Sequence, residues 1–181
     1  MKKEELIKET LKKLIEDLPL SEITVSKICK ECGIKRQTFY YHFTDISDVI
    51  AAYFLGEEID GIDKAKNWSE VVHVILVYAS KNRQLILKTL KSSSNKAVES
   101  FFYNNLYMKG RKFIEDKHGK SLSRNDINEV AKLMSDSLAR AMSRLLMNPQ
   151  ELSISAIEEN ISKTFDGVLD LICANKTNKK L

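Results

Sequence analysis

Cys29 and Cys32 stand three residues apart in the stretch ICKECGIKRQTFYYHF, which runs from Ile28 to Phe43. Thiols at that spacing are neighbours on a helix. As thiolates they are metal ligands or a redox couple. A structural zinc site needs four ligands. No second Cys-x-x-Cys pair occurs, and His73, His118 and Cys173 lack ligand spacing. Neither a metal nor a cofactor is expected. A redox role stays open beside a plainer reading, in which both cysteines are small apolar fillers under the helix that follows.

The same stretch offers a different chemistry. Val25–Phe43 carries Lys27, Lys30, Lys35 and Arg36 against Glu31 alone. Residues 1–48 as a whole hold 9 basic and 9 acidic residues, so the positive charge is local. A small basic patch suits docking onto a polyanion better than a general basic coat would. Lys35 and Arg36 are suited to phosphates. Gln37, Thr38, Tyr40, Tyr41 and His42 can meet base edges or the backbone. Phe39 and Phe43, four apart, share one helix face and should be core.

Enzyme chemistry is not expected. The chain has no glycine-rich phosphate loop and no Gly-x-Ser-x-Gly elbow. Its carboxylates form no recognisable catalytic pair. His73 lies in the apolar run VVHVILVYA, where it reads as a hydrogen-bonded core histidine or as a polar group in a ligand pocket. Trp68, Tyr78, Phe102, Tyr107, Met134 and Met142 read as core, or as the lining of that pocket. Between Arg83 and Arg124 there are 10 basic and 3 acidic residues, a solvated face or the approach to an anionic ligand.

The elements that must position these groups are helices. Only 2 prolines and 6 glycines occur in 181 residues, and 43% of the chain is hydrophobic. That favours long helices around a substantial core over a turn-rich β fold. Charge alternates with apolar residues at the N-terminus, so no signal peptide is read there. The longest apolar run is too short to span a bilayer. The expectation is a soluble, cytoplasmic protein without a membrane partner.

Apolar periodicity places a first helix over 3–17, ended by Pro19. A second begins at Thr24 or Val25, with Thr24 as its cap, and stops at Gly33. A third covers Arg36–Phe43. A fourth follows a cap at Thr44 or Asp45. Beyond a polar stretch near 61–68 come helices over about 69–80, 83–91, 95–117, 125–148 and 150–175. Two short helices about a glycine turn form a helix-turn-helix, whose second helix enters the major groove. The last two helices carry long apolar stripes. Ile127, Val130, Met134, Leu138, Ala141 and Leu145 form one, and Ile154, Ile157, Ile161, Phe165, Val168 and Ile172 the other. These stripes are either intramolecular core or halves of a four-helix bundle across a two-fold axis.

ITVSKICKECGIKRQTFYYHF followed by TDISDVI resembles the DNA-binding half of TetR-family transcriptional regulators. The matching features are Ile23–Val25, the Gly33–Ile34 turn, the Thr38–Phe43 ending and the helix after it. The resemblance covers about residues 5–55. RQTFYYHF and the short chain are also similar to regulators of the dihydroxyacetone-kinase type. The resemblance implies an all-α chain of about nine helices in two domains. Residues 1–48 would form a three-helix DNA-binding domain, and 49–181 a ligand-binding and dimerisation domain. It implies a homodimer on a double-stranded DNA operator, responsive to a small-molecule effector, with repression as the default and activation as the alternative. Thr24, Lys35, Arg36, Gln37, Thr38, Tyr40, Tyr41 and His42 would face DNA. Leu138, Met142, Leu145, Ile157, Ile161, Phe165 and Val168 are the expected dimer contacts. Two departures stand out. Ile46 occupies a position where the family often has a phosphate-binding lysine, so one backbone contact is either lost or supplied by Thr44. Cysteines stand at 29 and 32 where small residues are usual. The rival reading is a helical protein-interaction module without DNA binding.

Overall fold

A computed structural model describes residues 2–148, together with the single positions 159, 171 and 175. The helix expected over 150–175 lies outside the described residues, and with it Ile157, Ile161, Phe165 and Val168. Eight α-helices and no strand occur among the described residues. They are α1 (Lys3–Asp17), α2 (Val25–Cys32), α3 (Arg36–His42), α4 (Ile46–Gly56), α5 (Trp68–Lys81), α6 (Arg83–Leu90), α7 (Asn95–His118) and α8 (Arg124–Met147). Two short 3-10 turns, Leu20–Glu22 and Ile62–Lys64, were not expected from periodicity. Each is a single turn with no repeat to reveal it.

The helix ends follow local chemistry. Thr24 Oγ1 accepts a hydrogen bond from the Lys27 amide at 3.2 Å and caps α2. Gly33 closes α2 with φ +63°, a conformation that a side chain would strain. The Gly33 and Ile34 amides then satisfy the carbonyls of Lys30 and Cys29. Asp45 caps α4, accepting from the Asp48 amide at 2.9 Å, and the Asp48 carboxylate reaches back to the Thr44 amide.

The chain forms two compact units. The first takes residues 1–58 and 82–101, and the second takes 59–81 and 102–181. Thus α4, α6 and the start of α7 fall in the first unit with the helix-turn-helix. In the first unit α1 packs on α2, α4 and α6. Its core joins Ile7, Leu11 and Ile15 to Ile28, Phe39, Val49, Ile50 and Ile86. Phe54 of α4 meets Phe101 at 5.4 Å between ring centres. In the second unit Trp68, Val72, Ile75, Phe102, Leu106, Ile114, Ile127, Met134 and Leu138 are buried.

The apolar stripe of α8 differs in detail from the expected one. Ile127, Val130, Met134 and Leu138 are buried, but the stripe continues through Ala139, Met142 and Ser143 while Ala141 faces outward. A straight helix of 3.6 residues per turn drifts off a strict repeat over this length. Leu138 (1% exposed) and Met142 (0%) are therefore core of their own chain, which corrects their reading as dimer contacts. Leu145 is half-buried. No helix among the described residues is long and apolar enough to cross a membrane.

Candidate nucleic-acid interface

The second helix of the helix-turn-helix, α3, is only seven residues long. It is too short to stand alone, and two aromatics anchor it. Phe39 is fully buried and Phe43 nearly so, with ring centres 6.0 Å apart. This leaves the opposite face to solvent. Tyr40 is 56% and Tyr41 85% exposed. Lys35, Arg36 and Gln37 are exposed, as is Thr24, while Thr38 and His42 are half-buried. All eight residues expected to face DNA are thus accessible in the first unit.

Several of them are oriented by neighbours. The Arg36 guanidinium donates to Ser26 Oγ of α2, which ties the start of α3 to the bracing helix. Tyr40 and Phe39 pack edge to face with ring centres 5.6 Å apart, as do Tyr41 and His42 at 5.0 Å. Edge-to-face contacts of this kind limit ring motion at small cost. Lys35 sits at the N-cap with an extended backbone and no side-chain cap bond. A lysine at this position adds to the positive end of the helix dipole. The surface combines two cations, an amide and two phenols, a set suited to phosphates and base edges.

The cysteines lie behind this surface. Cys29 is buried in α2, and burial is the main influence raising its thiol pKa. The neighbouring Cys32 raises it further, and Arg36 acts the other way. The Cys32 thiol lies 3.1 Å from Thr10 Oγ1 of α1. Cys32 thus seals the α1–α2 contact and is not a filler under α3.

The second unit holds the residues read as core or pocket. Trp68, Tyr78, Phe102, Met134 and Met142 are buried, and Tyr107 is half-buried. His73 is exposed on α5, so neither reading of it as an interior group holds. Val71, Val72, Ile75 and Leu76 turn the other face of that helix inward, which places position 73 outside. Among the described residues the buried Trp68 Nε1 and Ser135 Oγ find no hydrogen-bond partner. Ser135 gave no signal in the sequence, because a serine inside a helix usually faces water. Tyr103 and Tyr107 lie parallel, their ring planes 7° apart.

An all-helical chain with an N-terminal helix-turn-helix and a separate helical unit is the architecture of a small DNA-binding regulator. Residues 6–53 match the family model described as bacterial regulatory proteins, tetR family. Residues 66–167 match that of a transcriptional regulator C-terminal region. The chain belongs to the TetR family of transcriptional regulators. No curated protein matches it. Among solved structures it is similar to the dihydroxyacetone kinase operon activator DhaS, at 19% identity and a TM-score of 0.66, over 93% of this chain and 97% of that one. It is also similar to the fatty acid degradation regulator FadR from Bacillus halodurans, at 17% identity and a TM-score of 0.55, over 90% and 94% of the two chains. At these identities the likeness is one of fold.

Proposed function

We propose that the chain is a ligand-responsive, homodimeric DNA-binding regulator whose α3 enters the major groove. The observation that carries this is the division of α3. Phe39 is wholly buried, while Lys35, Arg36, Gln37, Tyr40 and Tyr41 are held outward. Thr24, Thr38 and His42 flank that face. Residues 1–48 do the reading, and 49–181 hold the effector and the partner protomer. Family membership supports DNA binding as the common function.

The effector site we infer lies in the second unit, which holds both Trp68 and Ser135. Their unpartnered buried polar atoms would gain hydrogen bonds from a small molecule that supplies an acceptor and a donor. A bound effector changes the spacing of the two heads, and heads out of step with the groove lose the site. Coupling of about 1–3 kcal/mol is enough. Repression is the default output, since a bound dimer blocks a promoter. Activation is the second reading, and one similar structure is described as an activator.

Fluorescence anisotropy against the chain's own upstream DNA and a scrambled duplex, across a salt series, tests this. Tighter, salt-sensitive binding to the upstream DNA is expected. Tyr41→Ala should weaken it with little loss of stability. Arg36→Ala should also lower the salt slope by about one. Weak binding, insensitive to salt and to both substitutions, would return the lead to a protein-interaction module.

A further inference from the structure

A cleft of about 670 Å³ lies wholly within the first unit. Its size falls inside the range of about 300–1,000 Å³ typical of small-molecule sites. Three segments line it. Pro19 and Leu20 follow α1, Ile46, Ser47 and Ile50 come from the start of α4, and Lys91 with Ser92–Ser94 joins α6 to α7. Leu20, Ile46 and Ile50 make an apolar floor. One wall is held by a hydrogen bond of 3.0 Å between Ser47 Oγ and Ser94 Oγ.

The charges on the lining are not equivalent. Lys88 also lines the cleft, but its ammonium donates to the carbonyls of Ile15, Glu16 and Leu18. It is therefore committed to the backbone at the end of α1, and Asp17 is the one carboxylate among the lining residues. Ser92 Oγ is committed to the Thr89 carbonyl and the Ser94 amide. Lys91 is exposed and joins none of the ion pairs of the described residues. Lys91 and Ser93, both exposed, thus bring an ammonium outside those ion pairs and a hydroxyl to the same lining segment of the cleft.

We propose that this cleft binds a small amphipathic monoanion. Its apolar body lies on Leu20, Ile46 and Ile50, and its carboxylate or similar group meets Lys91 and Ser93. The site is separate from the aromatic interior of the second unit. It also has a direct mechanical link to the reading helix. Only Phe43–Asp45 separate α3 from α4, and the ligand sits against the first turn of α4 and beside the Ser47–Ser94 bond. Ile46 then has a role here in place of a phosphate-binding lysine. It supplies apolar floor.

Calorimetric titration of the full chain with octanoate, and with octanol and octylammonium as its neutral and cationic counterparts, tests the proposal. Saturable binding of octanoate at one site per chain is expected, with octylammonium at least tenfold weaker. Lys91→Glu should weaken octanoate at least tenfold. Ser93→Trp, which fills the cleft from an exposed position, should abolish binding. Lys120→Ala, at an exposed position of the second unit outside both proposed sites, should leave it unchanged, and thermal melts should show all three variants folded. Absent octanoate binding, equal affinity for octanol, or binding indifferent to both cleft substitutions would overturn it. DNA binding plays no part in this titration, so its outcome stands apart from the reading of α3.

Discussion

Lys88 Nζ lies 2.6 Å from the carbonyl oxygen of Ile15, and the same ammonium reaches the carbonyls of Glu16 and Leu18 at 3.1 Å. The last carbonyls of a helix have no partner within it, and α1 has no basic residue in its own last turn. Pro19 stops the chain from continuing the helix. A cation from α6 thus closes an end left open far earlier in the chain. Hydrogen bonds to a charged group are each worth about 1.5–3 kcal/mol, and the helix dipole adds a few tenths. Lys88→Met keeps the apolar stem and removes the charge. It should cost about 2–3 kcal/mol and lower the thermal midpoint by roughly 4–12 °C for a chain of this size. A melting curve that overlays the parent's would show that water replaces the ammonium without loss.

Gly110 and Trp68 form a second long-range pair. A Cβ built on Gly110 would fall 1.9 Å from the Trp68 ring. Gly110 lies in the middle of α7, where glycine is otherwise unfavourable. The missing side chain is the notch that receives the indole. Gly110→Ala should destabilise the second unit by about 1–3 kcal/mol despite the gain in helix propensity. The double variant Gly110→Ala, Trp68→Leu should recover part of the difference between the single variants. Chemical denaturation of the set checks this, and strictly additive losses would separate the two residues.

These two pairs mark what the sequence could and could not convey. Helix positions were legible because their signals are local. Thr24, Gly33 and Asp45 cap or end helices where their side chains or φ demand it. The division of α3 was legible because Phe39 and Phe43 are four apart. The family resemblance lies in the same short stretch. Lys88, by contrast, reads as one more surface lysine until α1 and α6 are brought together. His73 looked interior because its neighbours are apolar, yet the helix turns it outward. Leu138 and Met142 looked like interface because a stripe does not say which partner covers it. Ser135 and the cleft at Ile46 depend on tertiary packing that no spacing encodes.

Burial raises the Cys29 pKa above its ordinary value near 9.0, Cys32 adds to the rise, and Arg36 opposes it. The folded state thus favours the neutral thiol. Its contribution to stability is present below the unfolded pKa and is lost as pH rises through the higher folded one. At pH values up to about 9 Cys29 should alkylate with iodoacetamide far more slowly in the native chain than in urea, as read by peptide mapping. Arg36→Ala should slow it further. Rapid native alkylation at neutral pH would instead give the Cys29–Cys32 pair the thiolate character a redox sensor needs.

The outward face of α8 bears on the proposed dimer. Leu133 is 61% exposed, and Ser137 and Ala141 follow it at four-residue intervals, also exposed. Leu145, half-buried, continues the row. Residues at that spacing make one continuous stripe. Here a leucine stands at either end and two small residues between them let another helix approach closely. Packing the stripe against its copy on a second chain forms a self-complementary two-fold contact. Leu133→Glu with Ala141→Glu should convert the dimer to a folded monomer, because both positions are solvent-facing within one chain. Light scattering should show the mass halved, and circular dichroism should show the helix content kept. Leu138→Glu differs in kind. It places a charge in the interior and should unfold the second unit, costing several kcal/mol. DNA binding separates the consequences: the folded monomer keeps its reading surface yet loses tight operator binding, since one head makes only half the contacts. A double variant that stays dimeric would move the interface off this face of α8.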